Sequence, residues 1–118
     1  MNVFVPLAER VWREVAPGVE LSTLRSHGDG AGATLLVRMT KGAHAMLHHH
    51  PGGEETFIFS GRLRIGELVL GAGDYLWTAP GVAHEGDAEE ETLFFVVLPD
   101  GLRVGAPAAP TTTGGVAR

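Results

Sequence analysis

Apolar and polar residues alternate along most of this chain in short runs broken by glycine, proline and aspartate. Arg62-Leu63-Arg64-Ile65 is the cleanest case: arginines fall on one side and aliphatics on the other, as in a half-buried strand. The same reading predicts strands at Val19 to Arg25, Thr34 to Met39, His44 to His50, Thr56 to Ser60, Arg62 to Ile65, Glu67 to Leu70, Asp74 to Thr78 and Thr92 to Leu98. Strands this short and regularly spaced predict an all-β antiparallel barrel or sandwich. One helix is predicted, over Leu7 to Val15, where Leu7, Val11 and Val15 share a stripe that ends at Ala16-Pro17-Gly18. From Ala106 onward Ala, Pro, Thr and Gly replace the alternation, a composition that buries little. The expected organisation is an N-terminal arm over 1–18, one β-domain over 19–104 and a flexible tail over 105–118.

A chain of 118 residues supports one hydrophobic core. With no cysteine, disulfides, thiolate metal sites, iron-sulfur clusters and cysteine nucleophiles are excluded. The net charge is -5 and the nine basic residues are scattered, which argues against a nucleic-acid partner. The first residues lack a basic segment followed by an apolar core, and no stretch is long enough to cross a bilayer. Neither a membrane nor a secretory route is expected, and the chain reads as cytoplasmic.

Candidate chemistry is concentrated in two segments. Side chains alternate faces along a strand, so His48 and His50 point one way and His49 the other. After the turn at Pro51-Gly52-Gly53, Glu54, Thr56 and Ile58 share a face by the same rule. With His84 these residues have the spacing of a metal site. Imidazoles and a carboxylate with open positions suit one divalent ion per chain, iron(II) or zinc(II) foremost, with manganese, nickel and copper also compatible.

The residues that carry this chemistry also carry a family resemblance. Gly42-x(5)-His48-x-His50-x(3)-Glu54-x(6)-Gly61 resembles the first motif of the cupins, and Gly73-Asp74-Tyr-Leu-Trp-Thr-Ala79-Pro80-Gly81-Val-Ala-His84 resembles the second. The resemblance spans residues 19 to 100 and implies an antiparallel cupin barrel, the double-stranded β-helix or jelly roll. Two departures are visible: Ala79 stands where the usual first proline would be, and Ala88 where an asparagine is frequent. Neither position ligates metal. The family spacing selects Glu54 over Glu55, which is expected to face outward. The stretch His50-Pro51-Gly52-Gly53-Glu54-Glu55 is most similar to anti-sigma-factor cupins and to small dioxygenases of diketones and hydroxyketones.

His44 has the strand parity of His48 and His50, so it is a candidate catalytic proton shuttle, unless a bulge turns it to solvent. His49 is expected in solvent, and His27 sits in a loop. Met46, Thr56, Ile58, Leu76 and Thr78 are candidates for an apolar inner face. Phe57, Phe59, Phe94 and Phe95 read as packing or as a sheet-to-sheet surface. Arg38, Arg62 and Arg64 belong on the wet face, the run Glu85, Asp87, Glu89, Glu90 and Glu91 forms a solvated acidic turn, and Gly73-Asp74 is a barrel turn.

Three functional classes follow. The first is an iron-dependent dioxygenase acting on a small keto or enol substrate. The second is a non-catalytic zinc-type module that senses or binds a small ligand. Against a complete two-domain anti-sigma factor stands the lack of any cysteine ligand before the first motif. The third is an isomerase or epimerase, weakened because Tyr75, the one tyrosine, faces away from Leu76 and the cavity. A homodimer is expected, with Val3-Phe4-Val5 adding to a neighbour's sheet.

Overall fold

The computed structural model of the protein describes residues 1–28 and 30–107. Its strands are β1 Arg13–Ala16, β2 Val19–Ser26, β3 Ala33–Met39, β4 His44–His49, β5 Glu54–Ser60, β6 Arg62–Ile65, β7 Leu68–Gly71, β8 Tyr75–Thr78, β9 His84–Ala88, β10 Thr92–Leu98 and β11 Arg103–Val104. They form two sheets, one of order β1-β2-β3-β10-β5-β8 and one of order β11-β4-β9-β6-β7. All the strand pairs are antiparallel.

The alternation read from the sequence governs which face each strand buries. In β5 Glu54, Thr56 and Ile58 point inward and Glu55, Phe57 and Phe59 outward; β10 alternates likewise, with Phe94, Val96 and Leu98 inward. Between the sheets these side chains meet Met39 of β3, Leu63 and Ile65 of β6 and Leu70 of β7. Burying each aliphatic side chain stabilises the fold by about 1.5–3 kcal/mol. On the outer face of the six-stranded sheet Phe95, Phe57 and Tyr75 lie in register across β10, β5 and β8. Phe57, Phe59, Tyr75 and Trp77 are exposed there.

Glycine is required where the hairpins tighten. Gly53, at φ +81°, closes the turn from β4 to β5, and a Cβ on it would meet the Thr78 carbonyl at 2.9 Å. Gly61, at φ +93°, packs directly on the backbone of Glu91 and Thr92.

The predicted helix over Leu7 to Val15 is absent. A single 3-10 turn spans Leu7–Glu9, and Arg13–Ala16 pairs with β2 instead. Leu7, Val11 and Val15 are all exposed, so the stripe has no surface to cover, and so short a helix is not stable alone. The boundary drawn at residue 18 therefore falls inside the β1-β2 hairpin. The run Val3-Phe4-Val5 is in no strand.

Besides β1, two further strands had not been anticipated. β9 carries Glu85 and Asp87 outward and Gly86 and Ala88 inward, so half of the supposed acidic turn is strand. β11 pairs with β4, Arg103 opposite His49 and Val104 opposite His48. Residues 108–118, most of the expected tail, lie outside the described residues. Among the described residues no helix is long and apolar enough to cross a membrane.

Ile58, 0% exposed at the centre of the core, provides the test of this packing. Ile58→Ala is expected to cost about 2–5 kcal/mol in chemical denaturation. Leu68→Ala, at a position 54% exposed, should stay within about 0.5 kcal/mol of the parent.

Candidate metal centre

β4 and β9 run side by side with His48 paired to His84, and the turn at Gly53 brings Glu54 back beside them. His48, His50 and His84 form a group able to hold a metal ion, their ligand atoms all within 4.8 Å of one another. The Nε2 atoms of His48 and His84 are 3.1 Å apart. Glu54 Oε2 lies 3.4 Å from His50 Nε2 and Glu54 Oε1 lies 3.5 Å from His84 Nε2.

Backbone carbonyls orient two of the rings. His48 Nδ1–H donates to the Met46 carbonyl at 2.7 Å, and His50 Nδ1–H donates to the Gly101 carbonyl at 3.3 Å. Each tautomer is thereby set, leaving the Nε2 lone pair free. Buried His50 Nε2 has no hydrogen-bond partner. The lone pair of His48 Nε2 faces His84 Nε2, a contact that requires a proton on His84 or a cation between them. Bonds of about 2.0–2.1 Å to a tetrahedral ion set donors about 3.4 Å apart, which the 3.1, 3.4 and 3.5 Å separations approach, while the widest, up to 4.8 Å, would have to close. The residues present fit one small divalent ion.

Electrostatics point the same way. Burial, reinforced by the neighbouring His48, lowers His50 and His84 to about 4, and burial raises Glu54 to about 7. Neutral imidazoles and a carboxylate stripped of water form a donor set that a cation stabilises.

Beside the donors a cavity of about 50 Å³ opens between the sheets. His48, Glu54 and His84 line its polar end; Met39, Leu63, Ile65 and Phe94 line its apolar end. Thr56 and Glu85 also line it, and no lysine or arginine does. Thr56 Oγ1 is buried beside the Glu54 carboxyl, whose charged form it favours.

Several expectations need correction. His44 does not line the cavity: its Nδ1 pairs with Asp87 Oδ1 at 2.7 Å on the exposed face. The reason is a bulge. Between Ala45 and His48 the β4-β9 register slips by one residue, which reverses the parity along β4. The same bulge turns Met46 out, 59% exposed, while Ala45 lines the cavity. His49 is buried, not solvent-facing, because its Nδ1–H donates to the Gly105 carbonyl just beyond β11. The arginines are on the outside as read: Arg38 pairs with Glu20, Arg62 with Glu90 and Arg64 with Glu89. Sequence reasoning passed over the carbonyls of Met46 and Gly101, which carry no sequence signal.

An antiparallel two-sheet sandwich with a histidine-carboxylate cluster between its sheets defines a cupin. The sequence profile described as "ChrR Cupin-like domain" matches residues 1–100, and the chain belongs to that family. No curated protein matches the sequence. Among solved structures, a putative acetylacetone dioxygenase from Methylibium petroleiphilum is similar at 14% identity and TM-score 0.78, over 100% of this chain and 86% of that one. An RmlC-like cupin from Ralstonia eutropha is similar at 19% identity and TM-score 0.76, over 86% and 71%. A chain of the Rhodobacter sphaeroides complex of SigE with the anti-sigma ChrR is similar at 24% identity and TM-score 0.69, over 79% of this chain and 50% of that one. Likeness at these identities establishes the fold.

The donor set predicts how stability depends on pH in chelator-treated protein. His50 and His84 are lowered from 6.5 to about 4, so the unfolded chain binds the protons and stability rises with pH through that window. Glu54 is raised from 4.5 to about 7, so its contribution is present at low pH and lost as pH rises through 7. The two histidines outweigh the single carboxyl, and thermal stability should peak close to pH 6.5. In Glu54→Gln the decline beyond that peak should disappear.

Proposed function

We propose that this cupin is a metal-dependent oxidoreductase in which His48, His50, Glu54 and His84 hold one divalent ion per chain. The reaction is oxidation of a small, neutral keto or enol compound by dioxygen. The observation that carries this reading is the opposition of His48 Nε2 and His84 Nε2 at 3.1 Å, at the mouth of an apolar cavity.

When bound, the ion supplies Lewis acidity and, as iron(II), the electrons that activate dioxygen. The chain's own residues do the rest. The Met46 and Gly101 carbonyls hold His48 and His50 in the tautomer that donates through Nε2, and Glu54 provides charge balance. Met39, Leu63, Ile65 and Phe94 exclude water, while the Thr56 hydroxyl lies beside the Glu54 carboxyl and favours its charged form. With Glu54 in the lining and no lysine or arginine among the residues that line it, the cavity disfavours a carboxylated substrate. The C–C bond between a carbonyl carbon and its neighbouring carbon and the O–O bond of dioxygen would both break, and one oxygen atom would be added to each fragment, so that acetylacetone and dioxygen would give acetate and methylglyoxal. Similarity to solved acetylacetone dioxygenases from Methylibium petroleiphilum, a putative one, and from Acinetobacter johnsonii is consistent with such a substrate.

A second reading is a non-catalytic sensing module with a tightly held zinc ion. It is favoured by the ChrR cupin-like family and by the small volume of the cavity, about 50 Å³. The isomerase reading has less support: Tyr75 lies on the outer face and donates its hydroxyl to Glu55, so no histidine-tyrosine pair faces across the cavity.

Elemental analysis of variants tests the donor set. His48→Ala and His84→Ala are each expected to lose stoichiometric metal, and His49→Ala to keep it at lower thermal stability. Loss of metal in His49→Ala alone would refute the assignment.

An oxygen electrode decides between the two readings. Iron(II)-loaded protein is expected to consume oxygen with acetylacetone or a simple hydroxyketone, and His84→Ala to consume none. Zinc retained under every loading, no oxygen uptake and a thermal shift with small ligands would establish the sensing module instead.

A further inference from the structure

A second cavity, of about 260 Å³, lies away from the donor set, between the N-terminal arm and the end of the six-stranded sheet. Its size approaches the about 300–1,000 Å³ typical of small-molecule sites. Leu7, Arg10 and Trp12 of the arm form one side; Arg38, Ser60 and Leu93 of β3, β5 and β10 form the other.

Its charges are unevenly satisfied. Arg38 is held in place: its guanidinium carbon sits 4.0 Å over the Trp12 ring, and its Nε and a terminal nitrogen contact Glu20 Oε1 at 3.1 and 3.0 Å. Arg10 has no ion pair among the described residues, and its Nε is buried without a hydrogen-bond partner. Glu91 also lines the cleft but is not within ion-pair distance of Arg10. A guanidinium that lines the cleft without an ion pair is open to a planar oxyanion, which it can receive in bidentate fashion. Leu7 and Leu93 supply apolar wall beside it.

We infer that this cleft binds a small carboxylate with an apolar body, its oxyanion on Arg10 and its body against Leu7 and Leu93. Arg38, already engaged with Glu20 and Trp12, shapes the site and adds positive potential. Glu91 opposes the ligand and limits its affinity. The site is separate from the proposed metal centre, whose cavity has no basic lining, so the two take ligands of different charge.

Calorimetric titration of the full chain with sodium benzoate, at constant ionic strength, tests this. Saturable binding near one per chain is expected. Arg10→Gln, which removes the charge and keeps a polar side chain, should weaken it about tenfold or more, the worth of one charge-assisted contact. Glu91→Gln should tighten it, and His84→Ala should leave it unchanged. Absence of saturable binding, equal affinity in Arg10→Gln, or loss in His84→Ala would each overturn the inference.

Discussion

The carbonyl of His50 accepts two backbone N–H groups, from Gly53 and from Gly81, each at 3.0 Å. One donor belongs to the turn that follows β4, the other to the turn that precedes β9. This shared acceptor ties the two segments that carry the candidate ligands, thirty residues apart in sequence, to one backbone atom. From it the remaining geometry follows: Gly53 reverses the chain so that Glu54 returns beside His50, and Gly81 leads into His84 opposite His48. Positive φ at both glycines is what permits the junction, at +81° and +80°.

Strand order and facing were largely legible because the physics is local. Arg62 to Ile65 and Thr92 to Leu98 match the observed strands residue for residue, since one face of each is buried and the alternation is strict. The convergence of His48, His50 and His84 was legible for the same reason, together with their resemblance to the cupin motifs. What escaped was decided by partners distant in sequence. The bulge in β4 exists only in relation to β9, so parity alone sent His44 inward and Met46 with it. β11 has two residues and no pattern of its own, yet it is what covers His49. β9 is small and acidic, and becomes strand because β4 and β6 flank it on both sides.

Glu54 is an expensive residue to place where it is. Its carboxyl is buried beside Thr56 on a strand that otherwise supplies core, with uncharged imidazoles for neighbours. A side chain of this kind seldom serves stability. Its presence is intelligible as preorganisation: the barrel accepts local electrostatic tension so that charge, direction and dryness are ready before anything binds. The cleft at Arg10 repeats the theme with the opposite sign at the other end of the same sheet.

The chain contains two tryptophans, and the fold has separated them. Trp12 is half-buried beneath Arg38 at the cleft, whereas Trp77 is 58% exposed on β8, its backbone paired with Glu55 beside Glu54. Each pocket therefore has an intrinsic fluorophore nearby, one shielded and stacked on a cation, the other open to water. Differences in emission wavelength and in access to a dissolved quencher make the two distinguishable, so the molecule carries its own optical means of telling which end has been occupied.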